Sequence, residues 1–136
     1  MDRSVRVTCD LSFTRLTLCL HAVGPDYAAV LYGGQAPHVG TCVLAVPRPS
    51  LTGDGHCSCT SSVINVPCHK DEIVCRHVAE TLCRRKQSVV VCTGGIHMDC
   101  ATPAQIAEIQ QGVDTLLEKL SCAEIEPAEK EWRSSK

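Results

Sequence analysis

Aromatic side chains are scarce in this 136-residue chain, which has one Trp, two Tyr and one Phe. So few rings cannot form a base-stacking platform. A basic excess is missing too: thirteen Lys and Arg face fifteen Asp and Glu, for a net charge of −2. Both features argue against a nucleic-acid binder. No apolar run approaches the roughly 20 residues of a bilayer crossing. The chain does not open on a basic region followed by an apolar stretch and a small-residue cleavage site. No secretory leader is therefore expected, and the cytoplasm is the expected compartment. C-x-x-C pairs, the Walker A pattern, the G-x-S-x-G elbow and paired carboxylates are also absent.

Aliphatic residues and cysteine are abundant. At 44% hydrophobic and 21% charged the composition is that of an ordinary core-forming domain. The eleven cysteines are expected to be reduced in such a compartment and to pack as small hydrophobes. Cys57-Ser58-Cys59 and Cys68-His69 lie near each other but lack zinc-finger or ribbon spacing. A Cys–His nucleophilic pair stays open, because partners in space need not be close in sequence.

Arg15 to Val23 alternates polar and apolar residues and reads as a half-buried strand. After the turn Gly24-Pro25-Asp26, Tyr27 to Tyr32 reads as its hairpin partner, buried on both faces and ended by Gly33-Gly34. Val39 to Val46 and Cys57 to Val66 follow as strands around an exposed loop at Leu51–Gly55, and Val5 to Cys9 adds an edge strand. From His69 the pattern turns helical, with acidic Asp71 and Glu72 at the front and Arg84, Arg85 and Lys86 at the end, as the macrodipole favours. Val74, Cys75, Val78, Ala79 and Leu82 form its apolar stripe. Ser88 to Cys92 is β-branched and ends at Thr93-Gly94-Gly95. Thr102-Pro103-Ala104-Gln105 is a capping box opening a helix through Ile106, Ile109, Val113, Leu116 and Leu120. The expected fold is α+β: an antiparallel sheet of four to five strands with two helices packed on one face. One domain spans 1–136, with a core over about 5–122 and a charged tail over about 123–136. The other sheet face needs cover, which a homodimer would supply.

Three histidines stand at element ends beside glycines or the helix start, where function concentrates. His38 lies in Gly33-Gly34-Gln35-Ala36-Pro37-His38-Val39-Gly40, His69 in Pro67-Cys68-His69-Lys70-Asp71, and His97 in Gly94-Gly95-Ile96-His97-Met98-Asp99. They are either three separate loop residues or one site, and one site would be a binding crevice or a three-histidine metal centre. The helix start adds free N–H groups and a positive dipole end suited to phosphate, with Lys70 as a point charge and His69 as a donor; Asp71 and Glu72 would compete with an anion there. His21 and His77 read as structural or exposed.

G-G-x-x-P-H-V-G at Gly33–Gly40, H-K-D at His69–Asp71 and G-I-H-x-D at Gly95–Asp99, followed by Gln105-Ile106, resemble the LpdD-like family. These are small D subunits found beside UbiD-type aromatic acid decarboxylases such as gallate decarboxylase. The resemblance spans about Tyr27 to Leu120. It implies a cytoplasmic chaperone, not an enzyme, that binds reduced prenylated FMN and delivers it to or protects it for the decarboxylase large subunit, with the flavin prenyltransferase as a further partner. The candidate cofactor contacts are Gly34, His38, His69, Lys70 and His97, with a divalent metal on His38, His69 and His97 as an option. The alternative is a small metal-dependent lyase or hydrolase using those three histidines.

Overall fold

The computed structural model describes residues 3–67 and 71–122. Its elements run β1 (Ser4–Asp10), β2 (Arg15–Val23), β3 (Asp26–Gly34), β4 (Thr41–Pro49), β5 (Cys57–Asn65), α1 (Glu72–Lys86), β6 (Val90–His97) and α2 (Pro103–Cys122). All strands join one six-stranded sheet in the order β1-β2-β3-β6-β4-β5. The sheet is thus larger than the four to five strands expected, and it is mixed. β1, β2 and β3 form an antiparallel meander and β4 and β5 a hairpin, but β6 inserts between the two units, parallel to β3 and antiparallel to β4. The reason is α1: a helix between β5 and β6 returns the chain to the starting edge, so β6 runs parallel to β5, with β4 between them.

Two strand readings also change. β3 is not buried on both faces: Tyr27, Ala29, Leu31 and Gly33 are buried while the residues between them are half-buried. β6 does not stop at Thr93-Gly94-Gly95 but runs through it to His97. The capping box forms as expected, with Gln105 N–H donating to Thr102 Oγ1 (3.1 Å) and Thr102 N–H to Gln105 Oε1 (2.9 Å).

Both helices lie on one face. Leu16, Leu18 and Leu20 of β2, Tyr27, Ala29 and Leu31 of β3, Val43 and Ala45 of β4, and Val90 and Cys92 of β6 share a single core with Cys75, Val78, Ala79, Leu82 and Cys83 of α1 and Val113, Leu116, Leu117 and Leu120 of α2. Val74 and Ile109 pack at its edge, whereas Ile106 is 47% exposed. The alternate residues form the opposite face. Register places Ala28, Val91 and Leu44 side by side there, with Cys42 opposite Ile64 on the edge pair. Leu44, Val46 and Ile64 are exposed. The described cysteines are free as expected, but only Cys75, Cys83 and Cys92 are buried; Cys42, Cys100 and Cys122 are exposed. Among the described residues no helix is long and apolar enough to cross a membrane.

Candidate functional site

The chain end of β3, the start of β4, the start of α1 and the end of β6 meet at one end of the sheet. Parallel pairing sets Gly34 against His97, and Gln35 N–H donates to His97 O (2.7 Å). Gly40 N–H donates to Gly94 O (2.8 Å). His38, on the β3–β4 loop, and His97, at the end of β6, are thereby brought together, their ring centroids 6.2 Å apart and their planes at 79°. His69 and Lys70 lie outside the described residues, immediately before Asp71 in the chain.

His38 is held from both sides. Its Nδ1 faces Ala36 O at 2.9 Å and its Nε2 faces Asp71 Oδ2 at 2.8 Å. Two oxygen acceptors on one ring require a proton on each nitrogen, so the arrangement favours imidazolium. The Ala36 carbonyl first, and then the Asp71 carboxylate, raise His38 above its ordinary value of 6.5, against the opposing effect of burial. Asp71 is buried, at 7% exposure. It stands at the N-cap of α1 yet makes no side-chain capping bond. Its carboxylate instead serves the site: Oδ2 takes His38 and Oδ1 accepts Ile96 N–H at 2.9 Å. Asp71 was expected to compete with a bound anion; here it is neutralised by a histidine.

Two glycines make room for this pair. A Cβ on Gly95 would come within 2.6 Å of His38 Nε2, and one on Gly40 within 2.1 Å of Asp71 Oδ2. The His38 ring therefore lies directly on backbone that no larger residue could provide. Gly34 has φ +82° and donates its N–H to Thr14 Oγ1 (3.0 Å), so its visible part is to turn the chain out of β3. His97 is half-exposed and bonds through Nε2 to Asp99 Oδ1 (2.8 Å), and Asp99 N–H donates to Gln35 Oε1 (2.9 Å), which ties the two loops together. Sequence reasoning missed Asp71, Gln35 and Asp99 as parts of the site. The available signal was a glycine two residues from each histidine, Gly40 after His38 and Gly95 before His97.

Of the three candidate metal ligands only His38 and His97 are described, and the two bonds of the His38 ring do not suit a ligand. His38 would have to surrender an oxygen partner to offer a lone pair, and among the described residues no group of three or more His, Cys, Asp or Glu is arranged to hold an ion. His38 and His97 lie together at this end of the sheet, but both His38 ring nitrogens and His97 Nε2 already face oxygen acceptors, so an anion bound there would have to displace one of them. The cleft beside the two rings is open. A cavity of about 550 Å³ lies at the other end of β4 among Pro47, Arg48, Ser50, His56 and Cys57. His77 joins α1 to α2 through Asp114 (2.7 Å) and His21 is exposed, so neither belongs to the site.

Residues 12–124 match the family described as the prenylated flavin chaperone LpdD-like domain. The chain belongs to that family. The match covers His38, Asp71 and His97 together, so the LpdD-like domain includes the whole described cleft. No curated protein matches the chain. Among solved structures, a chain from "Crystal Structure of a Novel Chaperone Complex for Yeast 20S Proteasome Assembly" is similar in fold, with a TM-score of 0.56, 15% identity, and coverage of 89% of this chain and 96% of that one. At that identity the likeness concerns the fold alone.

The raised value of His38 sets a pH dependence. The folded form holds the proton more tightly than the unfolded form, so the His38 contribution is fully present below about 6.5 and is lost as pH rises through the higher folded value. Urea midpoints should therefore fall between about pH 6 and pH 8 in the wild type and change less in His38→Gln. An NMR titration of the His38 ring with a midpoint at or below that of an exposed histidine would contradict this.

Proposed function

We propose that this LpdD-like protein binds reduced prenylated FMN in the cytoplasm and delivers it to, or protects it for, a UbiD-type aromatic acid decarboxylase, without turning over substrate. The observation that carries the reading is the meeting of His38, seated on Gly95, with His97, in a chain of the prenylated flavin chaperone family. In this reading the phosphate is held by side-chain donors, His38 and His97 from the described residues and His69 and Lys70 from the segment leading into Asp71, with Lys70 supplying the charge. Gly34 and the other glycines let the ligand approach the backbone. The flavin prenyltransferase is the natural donor and the decarboxylase large subunit the acceptor. No metal on His38 is needed, so the small metal-dependent enzyme is the weaker reading.

The test is activation of an apo decarboxylase under anaerobic conditions, with prenyltransferase product supplied in limiting amount. The wild type should raise the fraction of active decarboxylase and show no turnover alone. Lys70→Ala removes one charge-assisted contact, about 1.5–3 kcal/mol, and should weaken cofactor binding about ten- to hundredfold. A chelator should leave binding unchanged. Equal activation with and without the protein would remove the reading, and loss of binding on chelation would restore the metal.

We further propose that a second copy covers the open sheet face, whose centre carries Ala28, Val30, Val91, Leu44 and Val46 between more polar edge strands. A six-stranded sheet with strands ~4.8 Å apart and about six residues tall presents roughly 500–600 Å². Two such faces would bury about 1,000–1,200 Å², the low end for specific interfaces. Gly95 alternates with Thr93 and Val91 onto this face, so the second copy would also wall the open cleft. Light scattering should give twice the chain mass at micromolar concentration, and Leu44→Arg should give a folded monomer. A monomeric wild type across that range would refute the dimer.

A further inference from the structure

At the end of α1 remote from the histidines, β5 and α1 bring three sulfurs into one patch. Cys57 and Cys59 are separated by one residue on β5, so both turn toward the face that α1 covers. Ser61 continues that row and donates to Glu80 Oε1 of α1 at 2.7 Å. One turn further along α1, Cys83 is fully buried in the core against which Cys59 packs, and its neighbour Arg84 reaches the Cys59 sulfur. Burial first, and then the neighbouring Cys59 and Cys57, push its thiol up to about 12. Cys59 differs: it is only partly buried, and Arg84 Nη1 donates toward its sulfur at 3.7 Å. Cys57 beside it lines the cavity of about 550 Å³ with Arg48, Ser50 and His56, which opens this corner to small molecules. Among the described residues no group of ligands suits a metal, so a thiolate metal site does not account for the patch.

We propose that Cys59 and Cys83 form a reversible disulfide site, closed by exchange with a small-molecule disulfide of the glutathione class. The Cys59 thiolate attacks one sulfur of that disulfide; a protein–glutathione bond forms, the glutathione S–S bond breaks and one glutathione thiolate leaves. Cys83 then gives its proton to solvent and attacks the Cys59 sulfur, releasing the second glutathione thiolate. Two protein thiols are oxidised and one glutathione disulfide is reduced to two thiols, so atoms and electrons balance. The order follows from exposure: Cys59 can meet an outside oxidant, whereas buried Cys83, which holds its proton tightly, is confined to the second, slower step. The product staples edge strand β5 to α1. A second thiol pair, Cys75 and Cys92, is buried on both sides and offers no approach, so it stays reduced.

The full chain is incubated anaerobically with glutathione disulfide, remaining thiols are alkylated, and the cross-links are mapped by mass spectrometry. A Cys59–Cys83 link should predominate, revert with reduced glutathione, and raise Tm by about 5 °C or more. Cys59→Ser should abolish the link with the fold intact, and Cys83→Ala should leave Cys59 carrying one glutathione. Three results would overturn the proposal: a wild type that retains glutathione on Cys59, a predominant link between other cysteines, or a link formed only in denaturant.

Discussion

Asp71→Ala is expected to lower stability by about 2–3 kcal/mol and to abolish most cofactor binding. The carboxylate holds two groups at once, the His38 ring and the Ile96 N–H. Truncation leaves a half-buried imidazolium and a backbone donor without it, and a buried group stripped of its partner costs about 1–3 kcal/mol. Thermal unfolding should move down by roughly 6–12 °C. The loss of binding should exceed what instability explains, because His38 is released into the cleft. Asp71→Asn separates the two effects. It retains an acceptor for Ile96 N–H but removes the charge facing His38, so stability should recover more than binding. A variant that unfolds as the wild type does and binds the cofactor equally well would show that Asp71 is an ordinary helix-start residue.

Gly95→Ala should do the reverse, sparing the fold and emptying the seat. The added methyl would lie within 2.6 Å of His38 Nε2, closer than any tolerated contact, so the ring would have to shift away from its Asp71 partner. Because the ring sits on a loop side chain beside an open cleft, its displacement should cost only about 1–2 kcal/mol. The Asp71 bond and the spacing to His97 would both be lost. Cofactor affinity should fall at least tenfold, and the His38 ring resonance should shift back toward that of an exposed histidine. Unchanged binding would mean that the floor under His38 has no part in recognition.

How far the sequence was legible depended on distance along the chain. The strand β2, the hairpin that joins it to β3 and the capped α2 are written in local alternation, in Gly24-Pro25-Asp26 and in Thr102-Gln105, and they fold accordingly. The place of β6 was not readable, because its partners Leu31 and Val43 lie some fifty to sixty residues away and nothing local selects them. Gly94-Gly95 looked like a stop, the usual meaning of paired glycines after a β-branched run. In the sheet they serve close approach instead: Gly94 lies against the Leu31 carbonyl and Gly95 under the His38 ring. The histidines were readable as candidates from their glycine neighbours. Asp71 was not, because an aspartate at a helix start has an obvious local use, and only the tertiary contact with His38 shows that it is employed otherwise.

The central claim is that the His38–His97 cleft binds reduced prenylated FMN. The most direct measurement is an anaerobic equilibrium titration of purified wild type, His38→Ala and His97→Ala with reduced prenylated FMN, followed by flavin absorbance and with circular dichroism confirming the fold. The account predicts saturable binding by the wild type, undiminished by chelator, and affinity at least tenfold weaker in each folded variant. Wild type that binds neither the reduced nor the oxidised cofactor, or folded histidine variants that bind as tightly as the wild type, would contradict it.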